Sequence, residues 1–252
     1  MTVGSDSPAQ LDVPWARRTP ARIVRELFLM AVLGPTMDVY TRRRVHGRAH
    51  LAGLAGPVIF VANHASHMDT PMILRSLPRR LRGRTVVGAA ADYFYRSRPR
   101  ALAVSLAFNT VPTPRRGSLP TPGSTLPAER LLDEGWSLLL FAEGTRSRDG
   151  TVGRLRAGAA VLAADHGLPI VPIHVAGTRA AMPAGQRWPK RGPRGRGSRR
   201  HPVEVRFGPP IRAGSRGDRR AVMEQVRRFY ADSGATTTPD HRRNSRALTT
   251  SG

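Results

Sequence analysis

The residues of this chain point to a single α/β domain, with a central, mostly parallel or mixed sheet flanked by helices and an N-terminal amphipathic helix ahead of it. Three observations carry that reading. Short apolar runs recur along the chain, as at residues 57–62 (PVIFVA), 137–142 (SLLLFA) and 168–175 (LPIVPIHV). Between them lie stretches of helical length and pattern, so strands alternate with helices. At 252 residues, with no internal repeat, the chain suits one large domain that buries a real core.

Taken in order, residues 1–19 are polar and proline-containing and read as a disordered start. Residues 20–33 read as a helix, with Pro20 suited to a first turn. Ile23, Leu27, Met30 and Ala31 share one face, with Arg22, Arg25 and Glu26 largely off it. Such a helix either lies in a membrane interface or packs on its own domain; segment 20–43 holds this choice open. Residues 43–47 (RRVHG) read as a short strand and turn, and 57–62 as the first core strand. Residues 69–77 open a helix with Asp69 near its N-terminus, and 85–91 (TVVGAAA) form a small-residue strand. Residues 97–108 are helical in pattern, and 111–116 (VPTPRR) are extended and proline-rigid. A helix over 126–134 closes at Gly135, the strand 137–142 follows, and an alanine-rich helix over 155–166 ends with Gly167 at its cap. The strand 168–175, an alternating strand 203–207 (VEVRF), a helix over 221–230 and a polar, disordered tail complete the chain. The main domain therefore runs over 44–232, with a tail from 233 to 252.

Composition narrows the function classes. No cysteine is present, which excludes disulfides and thiolate metal sites and fits a reducing compartment. The formal net charge is +24, which points to an anionic partner: nucleic acid, acidic lipid headgroups or phosphorylated substrates. Biased codon usage and solubility compete with that explanation, because Lys190 is the only lysine and much of the arginine lies in loops such as 187–200 (RWPKRGPRGRGSRR). No run reaches the roughly 18–20 apolar residues of a transmembrane helix, and LFLMAVL at 27–33 is too short to span. With no early apolar stretch to act as a signal peptide, the expectation is a peripheral protein on the cytoplasmic side of the cell membrane.

The densest cluster of chemistry-bearing residues is VANHASHMDT at 61–70, directly behind a buried strand. His64, His67 and Asp69 contain ligand types for zinc or iron. Metalloprotease histidines, however, stand four apart on a helix with glutamate between, so no metal site is expected here. An acid–base reading fits better. Asp69 folds back through the turn to one ring nitrogen of His64, leaving the other as a base for a substrate hydroxyl. Asn63 and Ser66 are candidates for holding the turn. The bland alternative is that His64 and Asp69 only cap a helix.

The rest of the chain resembles the glycerolipid acyltransferases of the 1-acylglycerol-3-phosphate acyltransferase type. The family block NHxSxxD is matched by Asn63, His64, Ser66 and Asp69; the block FPEGTRS by FAEGTRS at 141–147; the arginine after a short extended segment by Arg115 (or Arg116) in VPTPRR; and the proline-containing strand by Pro172 in IVPI, followed by Gly177 and Thr178. The resemblance runs from about Arg44 to Ile211. Departures are Ala142 for the usual proline, Arg156 where lysine is common, Pro114 in place of a polar residue, and a longer, more basic stretch at 187–200.

The resemblance implies His64 as base and Asp69 as its orienting partner in acyl transfer from acyl-CoA or acyl-carrier protein to a lysophospholipid hydroxyl. Glu143, Gly144, Thr145, Arg146 and Arg115 are implied in acceptor and phosphate binding, with Asn63, Ser66 and Pro172 in support. No cofactor is implied beyond the thioester co-substrate. An anionic membrane surface is the implied partner and nucleic acid is not. The alternative is a basic protein that binds nucleic acid or anionic lipid without catalysis; stacking aromatics in the basic stretch would favour it, and only Trp188 lies there.

Overall fold

The apolar runs pair into one mixed sheet in the computed structural model, which describes residues 13–90, 98–113, 127–147, 149–186, 188–193 and 199–237. Its strands are β1 (Thr41–His46), β2 (Ile59–Ala62), β3 (Thr85–Ala90), β4 (Thr110–Thr113), β5 (Ser137–Phe141), β6 (Pro169–Ala176), β7 (His201–Phe207) and β8 (Ile211–Arg212). The sheet order is β1-β7-β6-β2-β5-β3-β4, and β8 also pairs with β6. Neighbours run parallel except at β6, which meets β7 and β8 antiparallel. The sequence missed the two-residue β8, too short to show a period, and read β4 as an extended connector.

Strand β2 is buried on both faces, as expected for a central strand between parallel neighbours. Phe60 and Ala62 face a core with helix α3 (Asp69–Ser76), where Met72 and Ile73 are fully buried. Ile59 and Val61 face a second core with α6 (Pro127–Asp133), α7 (Gly158–Asp165) and α9 (Arg219–Asp232). Pro172 sits mid-strand in β6 without leaving a gap in the ladder. It falls where β6 changes partner from β8 to β7, and its carbonyl accepts the N–H of Gly208 at 2.8 Å. Pro172 is therefore a structural residue of the sheet.

The N-terminal helix differs from its sequence reading in its length. It continues past residue 33: α1 (Thr19–Leu27) passes through a π-helical stretch (Phe28–Leu33) into α2 (Gly34–Tyr40). The wider turn, in which the Gly34 N–H reaches the Leu29 carbonyl, precedes Pro35, which has no N–H to offer the ladder. Of the two arrangements its sequence leaves open, Ile23 and Leu27 do not pack on the domain; they are 55% and 62% exposed. The buried side carries Ala21 and Leu29, and Arg25 donates to the carbonyls of Ala16, Ser105 and Leu106. Ser105 and Leu106 belong to α5 (Arg98–Phe108). Burial, then the charges of Arg22 and Arg17, push the Arg25 guanidinium down to about 10. Elsewhere the alanine-rich helix starts at Gly158 rather than 155, and the final helix reaches Asp232. The expected disordered ends fall largely outside the described residues; within the first, Pro14–Arg17 form a 3₁₀ turn. Among the described residues, no helix is long and apolar enough to cross a membrane.

Candidate active site

Three adjacent strands, β6, β2 and β5, end side by side, and the turns that leave them meet at one place. Carboxyl ends of strands are where open α/β sheets bind ligands. The turn after β2 runs from Asn63 to Met68 and leads into α3. The Asn63 side chain continues the sheet: its amide donates to the Val175 carbonyl at 2.9 Å and accepts the Val175 N–H at 2.8 Å. The Ser66 hydroxyl donates to the Met182 carbonyl at 2.8 Å and accepts the Met68 N–H at 3.2 Å. Both residues thus hold the turn, as their types and spacing indicated.

His64 and Asp69 meet inside this turn. Asp69 Oδ2 lies 2.9 Å from His64 Nδ1 and accepts the N–H groups of Ala65 and Ser66 at 2.7 and 2.8 Å. Its Oδ1 accepts the Thr178 hydroxyl at 2.5 Å. The carboxylate is fully buried, and four donors offset its desolvation. The imidazole stacks on Phe141, with centroids 4.0 Å apart at 23°. With Nδ1 committed to Asp69, Nε2 is the ring nitrogen left to meet a ligand.

Glu143 follows β5 and turns inward. Its Oε1 accepts the His64 N–H at 3.1 Å and its Oε2 the Gly153 N–H at 2.9 Å. Burial pushes its carboxyl up, against the pull of these two donors. This geometry ties two loops together, beside the acceptor-binding role that the family resemblance implies for Glu143. Gly144 has φ +69°, and a Cβ there would lie 2.7 Å from Cζ of Arg156, whose guanidinium covers that glycine. Gly144, Thr145, Arg146 and Arg156 line the same cavity as His64 and His67. His67 is pushed down to about 4 by burial, then by the charges of Arg146 and His64, so it is neutral at neutral pH.

The cavity measures about 970 Å³. It runs from this polar mouth between the sheet and the helices, along Val87, Gly88, Val104, Phe108, Leu140 and Leu162. It is narrowed nowhere by a Cβ at Gly88, where one would lie 2.6 Å from Leu140 Cδ2. Such a volume, apolar with a few convergent polar groups, has the character of a ligand site. Leu33, Thr36, Met37 and Trp188 stand on its wall, beside the exposed face of the N-terminal helix. Arg115 lies outside the described residues, as do Pro114 and Arg116. Among the described residues, no group of three or more histidine, cysteine or acidic side chains is placed to hold a metal ion. Sequence reasoning did not assign roles to Thr178, Arg156 or His67. The first two fell inside or beside matched blocks, but nothing in their spacing foretold contacts with Asp69 or Gly144.

Comparison with known proteins agrees with this architecture. The chain is 26% identical over 164 residues to a chloroplastic 1-acyl-sn-glycerol-3-phosphate acyltransferase, BAT2, of Brassica napus, covering 62% of this chain and 44% of that protein. It is 35% identical over 105 residues to a 1-acyl-sn-glycerol-3-phosphate acyltransferase of Pseudomonas aeruginosa, covering 41% and 36%. The chain thus spans less than half the length of these curated relatives. The crystal structure of the 1-acyl-sn-glycerophosphate acyltransferase PlsC from Thermotoga maritima shares the fold, with a TM-score of 0.59 at 21% identity over 87% of this chain and 82% of that one. A family model for acyltransferases matches residues 42–176, more than half of the chain, including β2, the turn with His64 and Asp69, β5 and the segment with Glu143 to Arg146. This chain therefore belongs to the acyltransferase family.

Proposed function

We propose that the protein transfers a fatty acyl group from an acyl thioester, acyl-CoA or acyl-carrier protein, to the hydroxyl of a lysophospholipid such as 1-acylglycerol 3-phosphate. The observation that carries this reading is the His64–Asp69 pair at the polar mouth of a long apolar cavity. His64 Nε2 takes the proton of the acceptor hydroxyl as its oxygen attacks the thioester carbonyl. Asp69 steadies the resulting imidazolium, the tetrahedral adduct collapses, and the thiolate leaves with the proton from His64. A thioester is already activated, so no covalent enzyme intermediate and no cofactor enters these steps. Thr145 and Arg146 at the mouth serve the acceptor phosphate, Arg146 through its forked donors, and Arg115 is carried over from the matched block. Glu143 and Gly144 act here by shaping the loop that presents them.

The reading extends to the surface. Ile23, Val24, Leu27, Phe28 and Val32 are exposed on one helical segment beside the cavity wall. In a chain of net charge +24, that segment suits docking on the anionic cytoplasmic face of a membrane, where a lysophospholipid resides. The test is thiol release from a long-chain acyl-CoA, with and without 1-acylglycerol 3-phosphate, by wild type and His64→Ala. Acceptor-dependent release that falls at least about 10³-fold in the variant supports the reaction and its base. Release undiminished in His64→Ala refutes the mechanism.

A further inference from the structure

Asp69 is held from two directions. Oδ2 is occupied by its own turn: His64 Nδ1 and the N–H groups of Ala65 and Ser66. Oδ1 is reached from a segment 109 residues away, by the Thr178 hydroxyl at 2.5 Å. Thr178 is 1% exposed and opens the short helix α8 (Thr178–Ala181). Its placement is set by Gly177, φ +84°, where a Cβ would strike the Pro202 carbonyl. Strand β6 itself supplies Val175 to Asn63, and the connection after it supplies Met182 to Ser66 as well as Thr178 to Asp69, so the catalytic turn is fastened to this segment at three points.

We propose that Thr178 is a positioning residue for acyl transfer, acting through Asp69. The proposal rests on the reading of His64 and Asp69 given above. A carboxylate with all its donors on one oxygen can rotate about its Cβ–Cγ bond or tilt toward the unfilled side. The Thr178 hydroxyl fills that side with a charge-assisted bond in the short O–H···O⁻ range. It thereby keeps Oδ2 in the plane of the imidazole and holds Nδ1 as the protonated nitrogen, which leaves Nε2 free to take a proton. What the position requires is a hydroxyl donor of this reach, which serine shares and valine lacks despite its nearly equal volume.

The test compares Thr178→Val and Thr178→Ser in the full-length protein, after circular dichroism has shown that each is folded. Thr178→Val is expected to lower kcat about 10–100-fold, with KM for donor and acceptor within about twofold of wild type, whereas Thr178→Ser stays within about threefold. In ¹⁵N-labelled protein, the proton resonance of His64 Nδ1–H moves in Thr178→Val and stays in Thr178→Ser. In an Asp69→Asn background, Thr178→Val costs no further activity, as two residues acting as one unit require. If valine prevents folding, Thr178→Cys takes its place, and its loss is expected to lie between those of the serine and valine variants, because its S–H is a weaker donor than a hydroxyl. Wild-type kcat with an unmoved resonance in the valine or cysteine variant overturns the proposal. So does an equal loss in the serine variant, or a loss that appears in KM alone. The resonance needs no turnover, so an inactive wild type refutes acyl transfer while leaving the Thr178–Asp69–His64 linkage to be judged on its own.

Discussion

His174 is buried on β6 against Tyr230 of α9, 5% exposed, with ring centroids 6.1 Å apart. Its Nδ1 has no hydrogen-bond partner among the described residues. Burial, then the charge of Arg206 opposite it on β7, push the imidazole down to about 4, against weaker upward pulls from Glu204 and Asp69. In the unfolded chain the ring titrates near 6.5. Between these values the unfolded state binds a proton that the folded state refuses. The contribution of His174 to stability is therefore constant above about pH 6.5, falls as pH drops toward 4, and is level again below that. Integrated from neutral pH to pH 4.5, the fall is on the order of 2–3 kcal/mol for this one residue. His174→Leu removes the titration while keeping an apolar side chain of similar size. Urea unfolding, followed by tryptophan fluorescence at pH 7.5, 6.0, 5.0 and 4.5, measures both proteins. The wild type is expected to lose roughly 2–3 kcal/mol more than the variant across this range. A residual slope common to both is expected from His67, whose imidazole is depressed in the same direction. Parallel stability curves for wild type and His174→Leu would refute the argument that this ring is held neutral.

Further perturbations probe the site and its surroundings. Asp69→Asn keeps the shape of the turn but removes the charge that fixes the His64 tautomer, and kcat is expected to fall roughly 10³–10⁴-fold; a variant retaining a tenth of the activity contradicts the pairing. Gly88→Val places methyl groups against Leu140 in the cavity wall, so competition between acyl-CoAs should shift the preference toward shorter chains by about 10–100-fold. Leu27→Asp with Phe28→Asp puts carboxylates on the exposed face of the N-terminal helix, and sedimentation with anionic vesicles should show at least about tenfold weaker binding. Tyr230→Phe removes the hydroxyl that donates to the Val61 carbonyl at 2.9 Å, and thermal unfolding should register a loss of about 1 kcal/mol.

Legibility from sequence followed the range of the forces involved. Strands such as 57–62 and 168–175 were plain because a strand buried on both faces is apolar at nearly every position, His174 being the exception in the second. Helix ends were less plain: Gly34 takes a helical position that propensity disfavours, closed over by the Arg75 side chain. The inward face of the N-terminal helix was left open by its sequence because Arg25, a charged residue, caps the carbonyls of another helix, and period alone assigns charge to solvent. Within the site, His64 reaching Asp69 across five residues was legible as a local turn. The inward turn of Glu143, the cover that Arg156 gives Gly144, and the bond from Thr178 to Asp69 depend on pairing between distant segments, which no local pattern encodes.

The fastening of the 63–69 turn also sets a timetable. Its anchors lie 109, 112 and 116 residues downstream, and the strand beneath it is latched by Tyr230, 169 residues beyond Val61. A chain emerging from the ribosome exposes the apolar N-terminal helix long before Thr178 exists to receive Asp69. Contacts of such sequence separation form late, after the loops between them have closed. The turn that holds His64 against Asp69 is thus complete only once β6 and α8 have joined the sheet, so the candidate site is among the last parts of the domain to take shape.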